Sequence, residues 1–371
     1  MNRKLRFTAA VSAIAMAGGI SMPAFAQDTA AGTDITNNVT VSYQVGGVDQ
    51  SDETASDTFV VDRKIDLTVA ASDSVTTTVA PGQVNDDLTN NPPLLTYVVT
   101  NDSNATLDFQ LGAANRGNGA APNGGTDNTD VTDLQIFVDT DGNNIFDPAV
   151  DTATFIEDLA QDASVTVFVV ADIGSGEVTG NVASVTLTAT ARETAAGTGS
   201  IGAALTEDLG SADDPTAVDT VFADSAGDTD GNRDAAFSAA DDFTVAAADI
   251  TVRKISTVIE DPFNGTSNPK AIPGATVEYC IVVGNAAGAG AAPATGVTIV
   301  DEVPANTTFV AGSILLNGTV AGTFPGTNPG DFTCNGDGSA GGSFDGTDVT
   351  GTIASVAAGD ERTLVFRVTV D

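Results

Sequence analysis

The chain has 371 residues, with 13 Lys and Arg against 50 Asp and Glu, no His and no Trp, and a formal net charge of −37. So acidic a surface has few cations to displace counterions from phosphate, which excludes nucleic acid and anionic lipid as partners. The missing His removes the commonest general base and metal ligand, and leaves only carboxylate pairs for hydrolytic chemistry. Aromatic residues make up 5% of the chain and offer little stacking surface for sugars, which argues against an enzyme.

The N-terminus reads as a secretory leader over residues 1–26. Arg3, Lys4 and Arg6 form a basic region, Phe7 to Ile20 an apolar one, and Ala24-Phe25-Ala26 a small-x-small cleavage site. Removing it leaves 10 basic against 50 acidic residues, a net charge of −40. No later apolar run reaches the roughly 18 residues of a membrane span, and no Cys follows the cleavage site. The expectation is an exported protein, at the cell surface, outside the cell or in the periplasm, with no membrane insertion.

Beyond the leader, short runs alternate apolar and polar residues with period two, bounded by Gly, Asn, Asp and Pro. That is the pattern of antiparallel strands with one face buried. In chain order they include Val39–Tyr43, Lys64–Val69, Leu95–Val99, Ser164–Val169, Ala183–Thr188 and Thr363–Val370. In the last, Leu364, Phe366, Val368 and Val370 share one face while Arg367 and Thr369 point away. No long stretch has a helical period. The fold class is therefore all-β, built of antiparallel sandwiches.

An internal repeat sets the organisation. Ser56 to Val69 aligns with Ala240 to Val252 with one gap, Ala80-Pro-Gly-Gln83 with Ile272-Pro-Gly-Ala275, and Leu95 to Asn101 loosely with Val277 to Asn285. We read a strand-rich extension over 27–65 and a first, divergent module over 66–190. A connecting segment rich in Asp, Ala and Gly with one or two strands follows over 191–248, and a second module occupies 249–371. In both copies a strand rich in Phe and Val leads into the module with almost no linker, which predicts stiffly coupled units.

The second module carries a recognisable pattern. Pro273, Gly274, Val277, Tyr279, Ile281, Val283, Asn285, Ala294, Val297, Ile299, Asp301, Val303 and Pro304 fall in the order turn, strand, small-residue loop, strand. On these residues the chain resembles the bacterial surface-repeat family known as domain of unknown function eleven, or conserved repeat domain. The resemblance covers residues 249–371 well and 66–190 weakly. It departs at Glu302-Val303, where the family has x-Leu, and in a long insertion before Leu94. It implies immunoglobulin-like sandwiches in tandem at a bacterial surface, and no reaction.

Two Asp-rich runs are candidate calcium loops. The first is Asp139-Thr-Asp-Gly-Asn-Asn-Ile-Phe-Asp147 with Asp151, in which Asp139, Asp141, Asn143, Asp147 and Asp151 offer side-chain oxygens and Ile145 a carbonyl. Calcium takes six to eight hard oxygen ligands from such tight Gly-bearing loops. It is not an EF-hand, since the Gly is fourth rather than sixth and Val150 stands where a bidentate Glu is needed. An ordinary Asx-rich turn between strands is the plainer reading. The second run, with Asp228, Asp230, Asn232 and Asp234, repeats the D-T-D-G-N opening, but Arg233 within it would compete with a cation.

Cys280 and Cys334 are the only cysteines, and an even count in an exported chain favours a disulfide. Val277, Tyr279, Ile281 and Val283 define the buried face, so Cys280 should point outward to meet a loop bearing Cys334. Lys64 and Lys254 occupy similar positions at the module starts, where an intramolecular isopeptide is conceivable and solvated lysines are the simpler expectation. The reading as a whole is a non-enzymatic structural or adhesive protein of the bacterial surface, stabilised by calcium and binding an extracellular partner the sequence does not identify. The alternatives are a carbohydrate-binding or carboxylate-based hydrolytic module, and a self-associating surface-layer or filament subunit.

Overall fold

The structure, a computed structural model, describes residues 28–371 except 211, 289 and 324–330. The leader expected over residues 1–26 lies outside the described residues. Every regular element described is a β-strand, so the molecule is all-β, as the period-two patterning requires.

Two sheets face each other across residues 63–245. One has the order Thr132–Val138, Ser164–Asp172, Leu94–Asn101, Leu67–Ala71, all antiparallel. In the other, Phe155–Leu159 pairs with Leu107–Asn115, then Val182–Arg192, then Ala236–Val245, with Thr77–Val79 added in parallel. Between them lies a continuous core that includes Leu67, Val69, Tyr97, Phe109, Leu187 and Phe243. Within this core the Tyr97 hydroxyl donates to the Val185 carbonyl at 2.8 Å. A buried phenol without that partner would cost about 1–3 kcal/mol. Burial pushes the Tyr97 pKa up, and the nearby Asp241 charge adds to the rise.

Residues 250–370 repeat the plan. One sheet runs Ile250–Glu260, Thr276–Asn285, Glu361–Val370, Leu315–Gly318, and the facing sheet pairs Ala294–Glu302 with Asp348–Val356 and then Ser343–Phe344. Ile281, Leu316, Val349, Leu364, Phe366 and Val368 form its core. The fold is that of tandem immunoglobulin-like antiparallel sandwiches.

The registers of the two sandwiches superimpose on one residue type. Leu67 pairs with Asn101, and Ile250 with Asn285. The buried Asn101 amide donates to the carbonyls of Ala105 and Leu159; that of Asn285 donates to Ala292 and Val356. In each case the Asn side chain ties the crossing loop to the last residue of a strand in the facing sheet. An Asn is needed because only a short side chain with two N–H donors reaches both carbonyls. This anchoring fixes a register in which Tyr97 corresponds to Ile281, two residues from the Tyr97–Tyr279 match that sequence similarity alone suggests.

Cys280 and Cys334 form the disulfide, with Cα atoms 5.8 Å apart. Cys280 points away from the main core, as the alternation requires, but it does not face solvent. A small hairpin, Val320–Gly322 with Phe332–Cys334, lies over that face, and Cys280, Val282 and Phe332 make a second buried cluster there. The outward expectation is corrected by that covering hairpin, whose two short strands carry no periodic signal.

Two strands lie wholly within the connecting segment among the described residues. Thr220–Phe222 runs parallel to Arg63–Ile65, and Ala236–Val245 is a full strand of the first sandwich. Arg63 joins this region through a bidentate pair with Glu193 at 2.6 and 2.7 Å and a bond to Thr220. Ahead of the first sandwich, Asp34–Val41 and Glu53–Val60 form a two-stranded hairpin whose two faces are exposed, and no other strand among the described residues pairs with it.

Candidate functional site

The strand Thr132–Val138 delivers the first Asp-rich loop to one end of its four-stranded sheet. Phe146 anchors the loop against Phe137 and Phe168, with ring centroids 5.1 and 5.4 Å apart. Asp139 is 4% and Asp151 0% exposed. Oxygens of Asp139, Asp141 and Asp151 all lie within 4.8 Å of one another. The Asp139 carboxylate accepts from the N–H groups of Gly142 and Asn144, and that of Asp151 from Thr140 and Asp147. Gly142 and Asn144 both have positive φ, 71° and 59°, which curls the backbone so that its N–H groups point inward.

Three carboxylates so placed repel one another, and none is in an ion pair with Lys or Arg among the described residues. Backbone dipoles offset part of that repulsion. A hard divalent cation would offset the rest, using the remaining carboxylate lone pairs. The other candidate ligands are placed differently. The side-chain oxygen of Asn143 accepts from the Ile145 N–H at 2.6 Å, and Asp147 caps the Ala149 N–H. The Asn143 amide donates to Asp141 at 2.9 Å, and Asp147 lies outside the three-carboxylate group. Asn144, which sequence spacing did not single out, bonds through its side chain to Thr166 at 2.6 Å and braces the loop.

The second Asp-rich run uses its oxygens otherwise. Arg116 grips Asp228 through Nε and Nη2 at 2.8 Å, and Thr186 donates to the same carboxylate. The Arg116 guanidinium holds Asp228 below the usual carboxylate range. Asp230 accepts from Gly227 and Ser238, Asp234 from Gly231 and Ala236, and the Asn232 oxygen from Ala226. Arg233 turns outward to Glu207. These side chains staple a loop onto the outer face of the sheet and do not converge on a common point.

Asp62, Asp213 and Asp219 form a further convergent group. Asp62 accepts the Asp219 N–H at 2.9 Å, and burial followed by the charges of Asp62 and Asp219 raises the Asp213 pKa. More than 150 residues separate Asp62 from Asp219, so no motif spacing could have found it. Of the two lysines at the module starts, Lys64 pairs with Asp28 at 3.1 Å and Lys254 with Asp301 at 2.6 Å.

These features define a class: an all-β protein of tandem antiparallel sandwiches with acidic loops. No family model matches the chain, and no curated protein matches it. The resemblance to surface repeats therefore stands on the residues quoted above. Among solved structures, the chain is similar to the C-terminal domain of the AgI/II polypeptide BspA of Streptococcus agalactiae, at 9% identity and a TM-score of 0.33, covering 82% of this chain and 91% of that one. It is also similar to a putative membrane-anchored protein of Corynebacterium diphtheriae, at 13% identity and a TM-score of 0.19, covering 91% and 89%. The CupB6 tip adhesin of Pseudomonas aeruginosa gives 11% identity and a TM-score of 0.22, covering 93% and 89%. Likeness at this level carries no argument about function. No helix among the described residues is long and apolar enough to cross a membrane.

Proposed function

We propose that the protein is an exported, non-enzymatic structural or adhesive protein of the bacterial cell surface, with calcium stiffening the Asp139–Asp151 loop. The observation that carries this reading is the junction between the sandwiches. Val245 N–H bonds to Asn181, Ala246 to Val79 and Ala247 to Thr179, all in the first sandwich, while Asp249 N–H already bonds to Asn285 in the second. The Ala292 N–H reaches back to Ala247 at 3.0 Å. No free linker separates the units, so bending at the junction breaks hydrogen bonds. A stalk that holds a partner at a distance, or bears load, needs that property; a soluble binding module on a flexible tether does not.

The calcium part rests on the convergence of Asp139, Asp141 and Asp151 without a countercation. At calcium tenfold above Kd the gain is about 1.4 kcal/mol, which moves the melting temperature of a unit this size by about 3–5 °C. Millimolar calcium should produce that rise and EDTA should reverse it, while Asp139→Asn with Asp151→Asn should abolish it. An unchanged melting curve removes calcium from the account. Fractionating the native host, with and without EDTA, tests the location: recovery in the cytoplasm would overturn the surface reading.

A further inference from the structure

The hairpin ahead of the first sandwich and the open edge of the second are matching halves. Cross-strand pairing aligns the hairpin with the strand pair that closes the first sandwich. Ile35 pairs with Phe59 as Ala183 pairs with Phe243. Asn37–Asp57 then corresponds to Val185–Asp241, and Val39–Ala55 to Leu187–Ala239. In the first sandwich this face is core: Val185, Leu187 and Phe243 are each 0% exposed. In the hairpin the same face is bare, with Ile35 37%, Val39 53%, Val41 53% and Phe59 49% exposed. An isolated two-stranded ribbon with an unpacked apolar face is marginal in water.

The second sandwich lacks what the hairpin supplies. Leu107–Asn115 pairs with Phe155–Leu159 on one side and Val182–Arg192 on the other. Its counterpart Ala294–Glu302 pairs with Asp348–Val356, and no strand among the described residues pairs with its other edge. Ile250 and Val252, the register equivalents of Leu67 and Val69, lie 41% and 57% exposed. Leu67 and Val69 are 0% and 4% exposed, because Phe243 and the rest of Ala236–Val245 pack over them. The place Phe243 fills in the first sandwich is therefore unfilled in the second, and the equivalent Phe59 is exposed on the hairpin.

We infer that the hairpin of one copy of this chain completes the second sandwich of another copy by strand addition, joining copies head to tail. The occupant is a second copy because the contact already exists once within the chain. Ala236–Val245 closes the first sandwich and runs directly into the second, and Glu53–Val60 runs in the same way into the first. Repeating that relation between copies forms a heterologous, non-closing contact, which propagates as a filament. Asp57 would take the place of Asp241, a carboxylate that the first sandwich buries with Asn123 as donor at 2.8 Å. The inference needs no calcium and stands apart from the loop at Asp139.

The register follows from the repeat. Phe109–Ile156 corresponds to Val297–Ile353, so Val41 lies opposite Ile299 and Thr40 opposite the outward-facing Val300, which is 62% exposed. The test uses residues 27–371 carrying Thr40→Cys with Val300→Cys. Oxidation should give a ladder of disulfide-linked dimers, trimers and longer species on non-reducing gels, while each single variant stops at a dimer or below. In sedimentation, the parent chain should associate with rising concentration, and Phe59→Asp should shift the midpoint upward by about tenfold or more. Phe59 is 49% exposed and belongs to none of the buried clusters, so this variant should leave the monomer folded, which its far-ultraviolet circular dichroism checks. A double variant that stays monomeric, or closes on itself as a faster-running monomer, overturns the inference, as does unchanged association of Phe59→Asp.

Discussion

The two sandwiches share a strand order, a register and a buried Asn, yet they are held together by different means. The first has seven strands in its second sheet and packs a single large core. The second has three strands on that side, divides its apolar residues into smaller clusters, and carries the only disulfide. Closing a loop of 54 residues contributes about 4 kcal/mol in the chain-entropy model. The difference teaches that a shared topology does not fix the source of stability. Where the closing strands are missing, a covalent staple and a small covering hairpin stand in for part of the lost burial.

The sharpest way to break this comparison is to truncate equivalent aromatics. Phe243→Ala should destabilise the first sandwich by about 3–5 kcal/mol, read by urea denaturation. Phe59→Ala, at the equivalent place, should change the dilute monomer by less than about 0.5 kcal/mol. Equal costs would mean the hairpin already packs within its own chain. Reduction of Cys280–Cys334 comes next: the second sandwich should lose about 4 kcal/mol and unfold in a separate, earlier transition, with the first unmoved. A single shared transition would show that the junction couples the units more tightly than their cores separate them.

Asn101→Ala and Asn285→Ala probe what the sandwiches have in common. Each removes two donors from buried carbonyls, at about 2–4 kcal/mol, and the two costs should agree within about 1 kcal/mol. A large disparity would show that one register is held by other contacts. The smallest effect concerns Asp241, whose pKa burial pushes up to about 6, with repulsion from Asp242 and Asp73 adding to the rise. Because its folded pKa lies above its unfolded value, the folded state holds the proton more tightly. The stabilisation is full below the unfolded pKa near 4 and is lost as pH rises through about 6. Asp241→Asn should therefore stabilise the protein at pH 8 and change little at pH 4.

Much of this was legible in residue order, and the reasons it was not complete are physical. Alternation at Val277, Ile281 and Val283 and along Thr363 to Val370 identifies strand faces, because a sheet buries one face with period two. Asp139, Asp141 and Asp151 were legible as a group because a tight turn keeps near neighbours in sequence close in space. The Arg116–Asp228 grip and the group of Asp62, Asp213 and Asp219 were not, since long-range pairing brings them together. Nor does Phe59 differ in sequence from Phe243: the same Asp-x-Phe strand is core in one place and bare in the other. Whether a strand has a partner sheet is a property of the assembly, which no local pattern records.

Hydrogen exchange on the Ala294–Glu302 edge, followed against protein concentration, tests the contrast between a closed and an open sandwich most directly. Amides of Leu107–Asn115 should be protected at every concentration. On Ala294–Glu302, the amides facing away from Asp348–Val356 should exchange rapidly in the dilute monomer and become protected as copies associate. Protection of that edge in the dilute monomer, or its continued exposure at high concentration, would contradict the account.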